Sequence, residues 1–496
     1  MKKFLCVILV YAGLCFAQDI RICVDSSANG YTLFGQIHES ISYSPLLDTI
    51  LIVNRGFVVS NYLDATMVPG NLSGQMPLPN LYQGELGPAR YPTAIAGQNL
   101  YVSFPFLISG ALGGMGAQLL SGNPVDVGNG DVDATKVIGK QLPNSNIVFI
   151  GVTTNNAIIG YTWDENLSQL IFAGTITTNA YYIGCDCNGG IFYVFYKSLS
   201  DSLFYYRTTI DGINWSSPQQ WSIPLSSNLS IGYMQMALTD NGEPRIVFDA
   251  FSNTDSTYRI YVSYASGVAP ALVASVRDTI CFYPTIATGG NYCAVLFCRS
   301  RNMGWGPSTW WDFYMGWSTD NGVTWAQPVN CTQSLNYNPG VPQLAKRIDT
   351  LRMRAYYVYL AHMYNNDDPY WTLLYGTPTP CRIYLGARSY TGIEEATNLH
   401  PAFSNLQLAI YPNPFSDYST IKFTIPHAQS EFSLRIYDVS GRSVKSFEPV
   451  QGIKNKMSSV VWDGTDDSGN PVTSGIYFVK LEVNGHNKTE KVLLLK

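Results

Sequence analysis

The stretch MGWSTDNGVTWAQP, Met315 to Pro328, decides how the rest of this sequence is read. It leaves an aromatic run, DFYMGW, and passes through Ser318, Asp320, Gly322, Thr324 and Trp325. These residue types make a tight turn. An aspartate accepts backbone N–H groups, a glycine supplies a positive φ, and a tryptophan packs under the hairpin. A second stretch, TTIDGINW from Thr208 to Trp215, keeps Asp211, Gly212 and Trp215 and follows the aromatic run LFYYR. The two tryptophans are 110 residues apart. Both stretches read as a hairpin inside a repeated β unit, and therefore as scaffold.

The repetition extends along the chain. RYPTAIAGQNLYVSF (Arg90 to Phe104) aligns with FYPTIATGGNYCAVLF (Phe282 to Phe297), and Pro92 and Pro284 are 192 residues apart, which four units of about 48 would fill. Weaker copies begin at Ser42, Tyr181, Met234 and Val341, and a seventh surrounds SNIVFIGVTTNNAIIGYTW from Ser145. Most have a strand, a polar turn of the Asn-Gly or Gly-Gly kind, and an alternating aromatic and β-branched strand. Units of this length, each worth about four strands, predict the blades of an all-β propeller. STDNGVTW also resembles the Asp-box of sialidase-like propellers, matching Ser/Thr, any, Asp, any, Gly, any, Thr, Trp throughout, whereas TTIDGINW has its aspartate displaced by one. The resemblance implies a sialidase-like β-propeller of six or seven blades over residues 18–390, with these turns between third and fourth strands, away from any catalytic face.

Composition agrees with strands and turns. Charged residues are 13% of the chain and aromatic residues another 13%, with 34 Tyr, 43 Gly and 27 Pro. A formal net charge of −5 gives no basic face for nucleic acid. The N-terminus, MKKFLCVILVYAGLCFAQDI, has two lysines, a short apolar run and a small-residue exit, as a secretory signal peptide (residues 1–17) does. No later stretch has 18 uninterrupted apolar residues, so no transmembrane segment is expected in the mature chain. Eight cysteines follow the signal: Cys23, Cys185, Cys187, Cys281, Cys293, Cys298, Cys331 and Cys381. An even number in an exported chain allows disulfides, with buried free thiols as the alternative, and no Cys-x-x-Cys pair supports zinc.

After a polar linker at 391–405 the composition shifts. From Leu406 the tail carries 10 basic and 9 acidic residues, against 18 and 26 over residues 18–405. Alternation at Ile421, Phe423 and Ile425, then at Phe432, Leu434 and Ile436, gives strands with one buried face. Asp438 to Arg442 and Asp463 to Gly469 supply turns, read as hairpins. About seven short strands over residues 406–496 predict a small immunoglobulin-like β-sandwich. The landmarks are Tyr411-Pro412-Asn413-Pro414-Phe415, Asp438 to Arg442 with Gly441, Trp462-Asp463-Gly464, Gly475-Ile476-Tyr477 and the basic, aliphatic end Lys491 to Lys496. In combination they resemble the C-terminal sorting domain of type IX secretion substrates, and also the immunoglobulin-like domain of flagellar hook-capping proteins. The first resemblance implies the secretion machinery as partner and a secreted or outer-surface location. A plain accessory domain is the alternative.

Candidate sites in the large domain are few. By the sialidase-like resemblance, catalysis needs an arginine cluster, an aspartate acid/base and a tyrosine paired with glutamate. Ala89-Arg90-Tyr91-Pro92 keeps the arginine and proline of that family's Phe/Tyr-Arg-Ile/Leu-Pro signature, which makes Arg90 the catalytic candidate and a rim arginine the alternative. Arg245, Arg299, Arg301 and Arg354 sit near strands as further arginines. DVGNGDVD spaces Asp126, Asp131 and Asp133 as a calcium loop does, against a solvated turn; no other cofactor is expected. Trp305, Trp310 and Trp311 could stack on sugar rings or pack on the domain. The reading favoured by the incomplete arginine signature is a non-catalytic surface propeller that binds glycan or protein through loops at one end of its channel. A sialidase-like exo-glycosidase and a structural envelope protein are the alternatives.

Overall fold

The computed structural model describes residues 20–29, 39–56, 62–108, 111–127, 134–277, 279–301, 310–332, 342–362, 380–390, 408–424, 432–438, 441–447, 457–483 and 486–495. The expected signal peptide, the linker, Trp305, Asp131 and Asp133 lie outside the described residues. Among the described residues the long elements are all β-strands, and no helix is long and apolar enough to cross a membrane.

Residues 18–390 form one compact unit. Its described residues hold seven four-stranded antiparallel sheets, six of them simple meanders of consecutive strands. These six occupy residues 41–82, 93–126, 134–177, 180–221, 229–277 and 281–330. The seventh combines Gln343–Leu344, Arg354–His362 and Pro380–Ser389 with the first strand of the chain, Ile20–Asn29. That strand runs antiparallel to Pro380–Ser389, from Ile20 opposite Ala387 to Asn29 opposite Pro380. The first strands of successive sheets lie against one another in order, and Arg354–His362 of the seventh meets Ile41–Ser44 of the first. The sheets therefore close into a ring, the arrangement of a β-propeller.

The apolar residues explain why the ring forms. Seven separate buried cores occur in this unit, and each lies between two consecutive sheets. Ile50 and Ile52 enter the core shared with the seventh sheet, whereas Leu51 and Val53 enter the core shared with the second. Ile246 and Phe248 likewise face the fourth sheet and Val247 the sixth. A middle strand buried on both faces must be apolar at nearly every position, so the sequence reads TILIV, RIVF and CAVLFC rather than as strict alternation.

The third sheet surrounds SNIVFIGVTTNNAIIGYTW, as the sequence reading has it, but that stretch holds its middle strands. SNIVFIGVTTNNAIIGYTW supplies the second and third strands of the third sheet, Ile147–Thr153 and Ile158–Asp164, and not the first and second. The first strand is Ala134–Gln141, joined to Ile147–Thr153 through Leu142 to Asn146, which lacks the Asn-Gly or Gly-Gly signal used elsewhere.

The tail forms two sheets, Leu408–Tyr411, Ser419–Thr424 and Met457–Trp462 in one, and Ser443–Phe447, Phe432–Asp438, Gly475–Val483 and His486–Leu494 in the other. Ile421, Phe423, Leu434, Ile436, Trp462 and Tyr477 share a single core between them, as in an immunoglobulin-like sandwich. Ile425 and the side chain of Phe432 lie outside the described residues. Asp438 to Arg442 joins two paired strands, whereas Asp463 to Gly469 turns back only through an isolated antiparallel bridge of Thr465 with Pro471, on the way from the three-stranded sheet to Gly475–Val483 in the other.

Deleting Gln18 to Asn29 leaves Pro380–Ser389 as an open, apolar edge. The expected result is a thermal midpoint lower by ~10 °C or more, with concentration-dependent aggregation, measured by circular dichroism melts. An unchanged midpoint would show that the ring closes without its first strand.

Candidate functional site

The ring has two ends. At one lie the turns from first to second strands and from third to fourth strands; the first strands begin at the other. The stretch around Asp320 belongs to the turn end, between Trp311–Ser318 and Val329–Asn330. Asp320 Oδ1 accepts the Thr324 N–H at 2.9 Å and the Ser318 hydroxyl at 2.8 Å, and Thr324 Oγ1 donates to Oδ2 at 2.6 Å. Gly322 has φ of 88° and donates to Ser318 Oγ, while Trp325 Nε1 donates to Gly322 O at 3.0 Å. In the second copy Asp211 accepts the N–H groups of Ile213 and Asn214, and Thr209 takes the place of Ser318. Gly212 has φ of 79°, but the indole N–H of Trp215 finds no partner among the described residues.

Both turns also clip their sheet to the preceding one. Arg245 Nε of the fifth sheet donates to Asn321 O at 2.5 Å, and Thr162 Oγ1 of the third donates to Gly212 O at 2.5 Å. These residues are structural, and so is Arg245, buried and also paired with Glu243.

The hub at the turn end is charged. Glu39, just before the first sheet, lies between Lys140 of the third and Lys346 of the seventh, with Lys346 Nζ at 2.7 Å. Burial pushes the Glu39 carboxyl up, and the two ammonium groups more than offset this and hold it below the ordinary range. Arg347 forks onto Asp186 of the fourth sheet with two bonds of 2.9 Å, and Asp186 also accepts the Leu238 N–H of the fifth. Lys346 Nζ further donates to Cys185 O at 2.5 Å. A cavity of about 350 Å³ opens above this network, its lining including Lys140, Gln141, Asp186, Asn188, Lys346 and Arg347. The charges beneath it satisfy one another, so the network acts as a bolt across the ring.

The other end is aromatic. Tyr181, Lys197 and Phe204 of the fourth sheet face Gly232, Tyr233 and Met234 of the fifth across a cleft of about 290 Å³. The inner strands carry bulges here, between Tyr182 and Gly184, Ile231 and Met234, and Phe282 and Thr285. Tyr233 meets Tyr283 edge-on at 5.5 Å. Behind them, Asp249 accepts the Tyr233 N–H at 3.0 Å and the Tyr283 N–H at 3.2 Å, joining the fifth and sixth sheets. A Cβ on Gly232 would lie 1.9 Å from Asp249 Oδ1, so only glycine fits. Burial pushes the Asp249 carboxyl up to about 7, and the two N–H donors only partly counter it.

The remaining candidates are scattered. Arg90 lies at the aromatic end of the second sheet, half-buried, its N–H donating to Pro105 O. Tyr91 and Tyr283 share a positive φ, 40° and 53°, so the repeated Tyr-Pro step has one conformation whether arginine or phenylalanine precedes it. Arg299 and Arg301 are at the same end but in the sixth sheet, and Arg301 forks onto Asp312 at 2.6 and 3.0 Å. Arg245 and Arg354 begin strands at the turn end. Tyr101 donates to Glu165, a Tyr–Glu contact at the opposite end of the second sheet from Arg90. The sequence-predicted arginines are therefore spread over both ends and several sheets.

Trp311 is buried against Phe282 with ring centroids 4.7 Å apart, so it packs the sixth sheet and offers no face to a sugar. Trp310 lies under the Arg301 guanidinium at 5.3 Å. Asp126 ends Pro124–Asp126, and among the described residues no group of three or more His, Cys, Asp or Glu side chains is placed to hold a metal. Cys23 and the seven cysteines that follow it are free thiols, all but Cys23 buried or half-buried.

In the tail the landmark residues fasten the last strand. Asn413 Oδ1 accepts the Leu493 N–H at 2.9 Å, and its Nδ2 donates to Lys491 O at 2.7 Å. Phe415 exchanges bonds with Leu493 and Leu495, and Ser419 Oγ donates to Pro412 O. Asp438 accepts the Arg442 N–H and guanidinium across Gly441, at φ of 80°. Trp462 Nε1 donates to Thr465 O, Asp463 caps Thr465 beside Gly464, and the Tyr477 hydroxyl donates to Thr473 O, close to Gly475.

The family described as secretion system C-terminal sorting domain matches residues 409–495. This tail is a C-terminal sorting domain. It marks the chain for export by type IX secretion, to the medium or the outer cell surface. No curated protein matches the sequence. Among solved structures, the chain is similar to a polysaccharide lyase, PL25 ulvan lyase, at 10% identity and TM-score 0.49, covering 70% of this chain and 94% of that one. It is similar to PorZ, a surface component of the type IX secretion system of Porphyromonas gingivalis, at 12% identity and TM-score 0.40, covering 93% and 60%. It is also similar to the six-bladed Aleuria aurantia lectin, at 14% identity and TM-score 0.32, covering 48% and 76%. Identity this low says nothing of ligand or activity.

Asp249 gives a pH test of the fold around the cleft. Its folded value near 7 exceeds the ordinary 3.8, so the folded state holds the proton more tightly. The stabilisation is complete below about pH 4 and is lost as pH rises through 7. Urea unfolding of the parent should show a fall of about 3–4 kcal/mol over that window from this group, absent in Asp249→Asn. Parallel profiles for the two proteins would contradict the assignment.

Proposed function

We propose that this chain is an exported, seven-bladed binding propeller that reaches the cell exterior through an N-terminal Sec signal and the sorting domain, and takes a glycan at the aromatic end of its ring. The cleft between the fourth and fifth sheets carries the reading. Its volume sits near the lower bound for small-ligand sites, ~300–1,000 Å³, which suits a sugar unit better than a protein surface. Tyr181 is 51% exposed at its rim, a half-open aromatic face of the kind that stacks on a pyranose ring. The cleft is framed by backbone bulges that Asp249 and Gly232 lock in place, so the site is formed before ligand arrives.

Binding is favoured over turnover because the arginines are dispersed and the Tyr–Glu contact lies at the other end from Arg90. A sialidase-like hydrolase would need them together. The turns around Asp320 and Asp211 serve as Asp-box scaffold in this reading.

The test is a panel of immobilised neutral and acidic glycans probed with the purified chain from Gln18, with release of a fluorogenic group from sialosides and other glycosides measured alongside. Capture of a subset of glycans, weakened ~10-fold or more by Tyr181→Ala and unchanged by Arg90→Ala, is expected. Turnover abolished by Arg90→Ala would replace binding by hydrolysis, and capture of no glycan would overturn the proposal in favour of a protein ligand or a structural role.

A further inference from the structure

We infer that the saccharide held in this cleft is acidic, with its carboxylate or sulfate group paired to Lys197 and its ring against Tyr181. This rests on the glycan-binding reading above and specifies its substrate class.

Lys197 sits directly opposite Tyr181 on one neighbouring strand and Phe204 on the other, so the three form a row across the fourth sheet. All three line the same cleft. The lysine is half-buried, yet among the described residues its ammonium group makes no hydrogen bond and no ion pair. Several other cations of the ring do have a counter-charge. Lys140 and Lys346 share Glu39, Arg347 has Asp186, Arg301 has Asp312, and Arg352 has Asp48 and Asp349. Lys197 has no such counter-charge among the described residues, and unlike Arg207, which donates to the Ser216 and Ile176 carbonyls, and Arg299, which donates to Thr279, its ammonium has no acceptor there either.

Partly withdrawing an ammonium from water costs free energy, which an opposite charge or a good acceptor offsets. In a cleft whose remaining lining residues are tyrosine, phenylalanine, isoleucine, leucine, methionine and glycine, that acceptor arrives with the ligand. The lysine stem can lie along Tyr181 and Phe204 while its three donors meet an oxyanion. An acidic sugar brings both parts, an apolar ring face for the tyrosine and an oxyanion at its edge. A neutral sugar would use the tyrosine alone.

The experiment is isothermal titration of the full chain from Gln18 with three probes: trigalacturonic acid, its carboxyl-reduced neutral counterpart, and a sulfated galactotriose. Either acidic probe should bind ~10–100-fold more tightly than the neutral one, and which of them does so tells carboxylate from sulfate. Lys197→Met should remove that preference while leaving neutral binding within about twofold, and Lys197→Arg should retain it. Thermal midpoints matching the parent confirm that each variant is folded. Equal binding of neutral and acidic probes, weakened by Tyr181→Ala but not by Lys197→Met, would overturn the acidic specificity and leave glycan binding standing. No binding of any probe, together with no capture on the glycan panel, would overturn both.

Discussion

Glu39 is buried between two ammonium groups, and the ring is organised around that fact. The carboxylate precedes the first sheet, Lys140 ends the first strand of the third, and Lys346 follows the first strand of the seventh. They meet only if the sheets close on themselves. Apolar packing alone would not dictate that closure, because the seven cores are chemically alike and each would accept a similar neighbour. A buried carboxylate is less tolerant: away from both lysines it keeps its desolvation cost and loses what offsets it. Arg347 on Asp186 extends the same logic to the fourth sheet, and Arg352 on Asp48 and Asp349 latches the seventh sheet to the first.

The inner strands thus do two things at their two ends. At the turn end they converge on charges that satisfy one another, beneath turns clipped from sheet to sheet by Arg245 and Thr162. At the aromatic end they bulge, and a bulge re-aims side chains out of the ladder. Tyr233 and Tyr283 are turned by such irregularities and pinned by one carboxylate, Asp249. The cleft that holds Lys197 is built on that distorted edge, on a scaffold fixed elsewhere. The sorting domain folds around its own core, with Asn413 and Phe415 gripping the last strand.

The repeat and the turns were legible in the sequence because their chemistry is local. Pro92 and Pro284 mark equivalent strands, and Asp320, Gly322 and Trp325 contact one another within a few residues. The tail was legible for the same reason, through the alternation of Ile421 with Phe423 and Leu434 with Ile436. What escaped was set by distance along the chain. Glu39 gives no sign that it meets Lys346, and Arg245 looks like a catalytic arginine until the backbone of Asn321 is seen beside it. Trp311 read equally as a sugar platform or as packing, because sequence does not tell a buried strand from an exposed insert, and it packs. The first strand of the third sheet went unread because Leu142 to Asn146 lacks the usual turn signal. Lys197 could not be singled out at all, since what marks it is a place in the cleft beside Tyr181 and Phe204 with no acceptor for its ammonium among the described residues.

A double-mutant cycle on Glu39→Gln and Lys346→Met tests the ring's central bolt most directly. If the hub closes the ring as described, Lys346→Met alone costs about 3–5 kcal/mol of unfolding free energy, and much less when Glu39→Gln is already present, giving a coupling of ~2 kcal/mol or more. Strict additivity of the two substitutions would show that the buried charges do not act on one another and that apolar packing alone closes the ring.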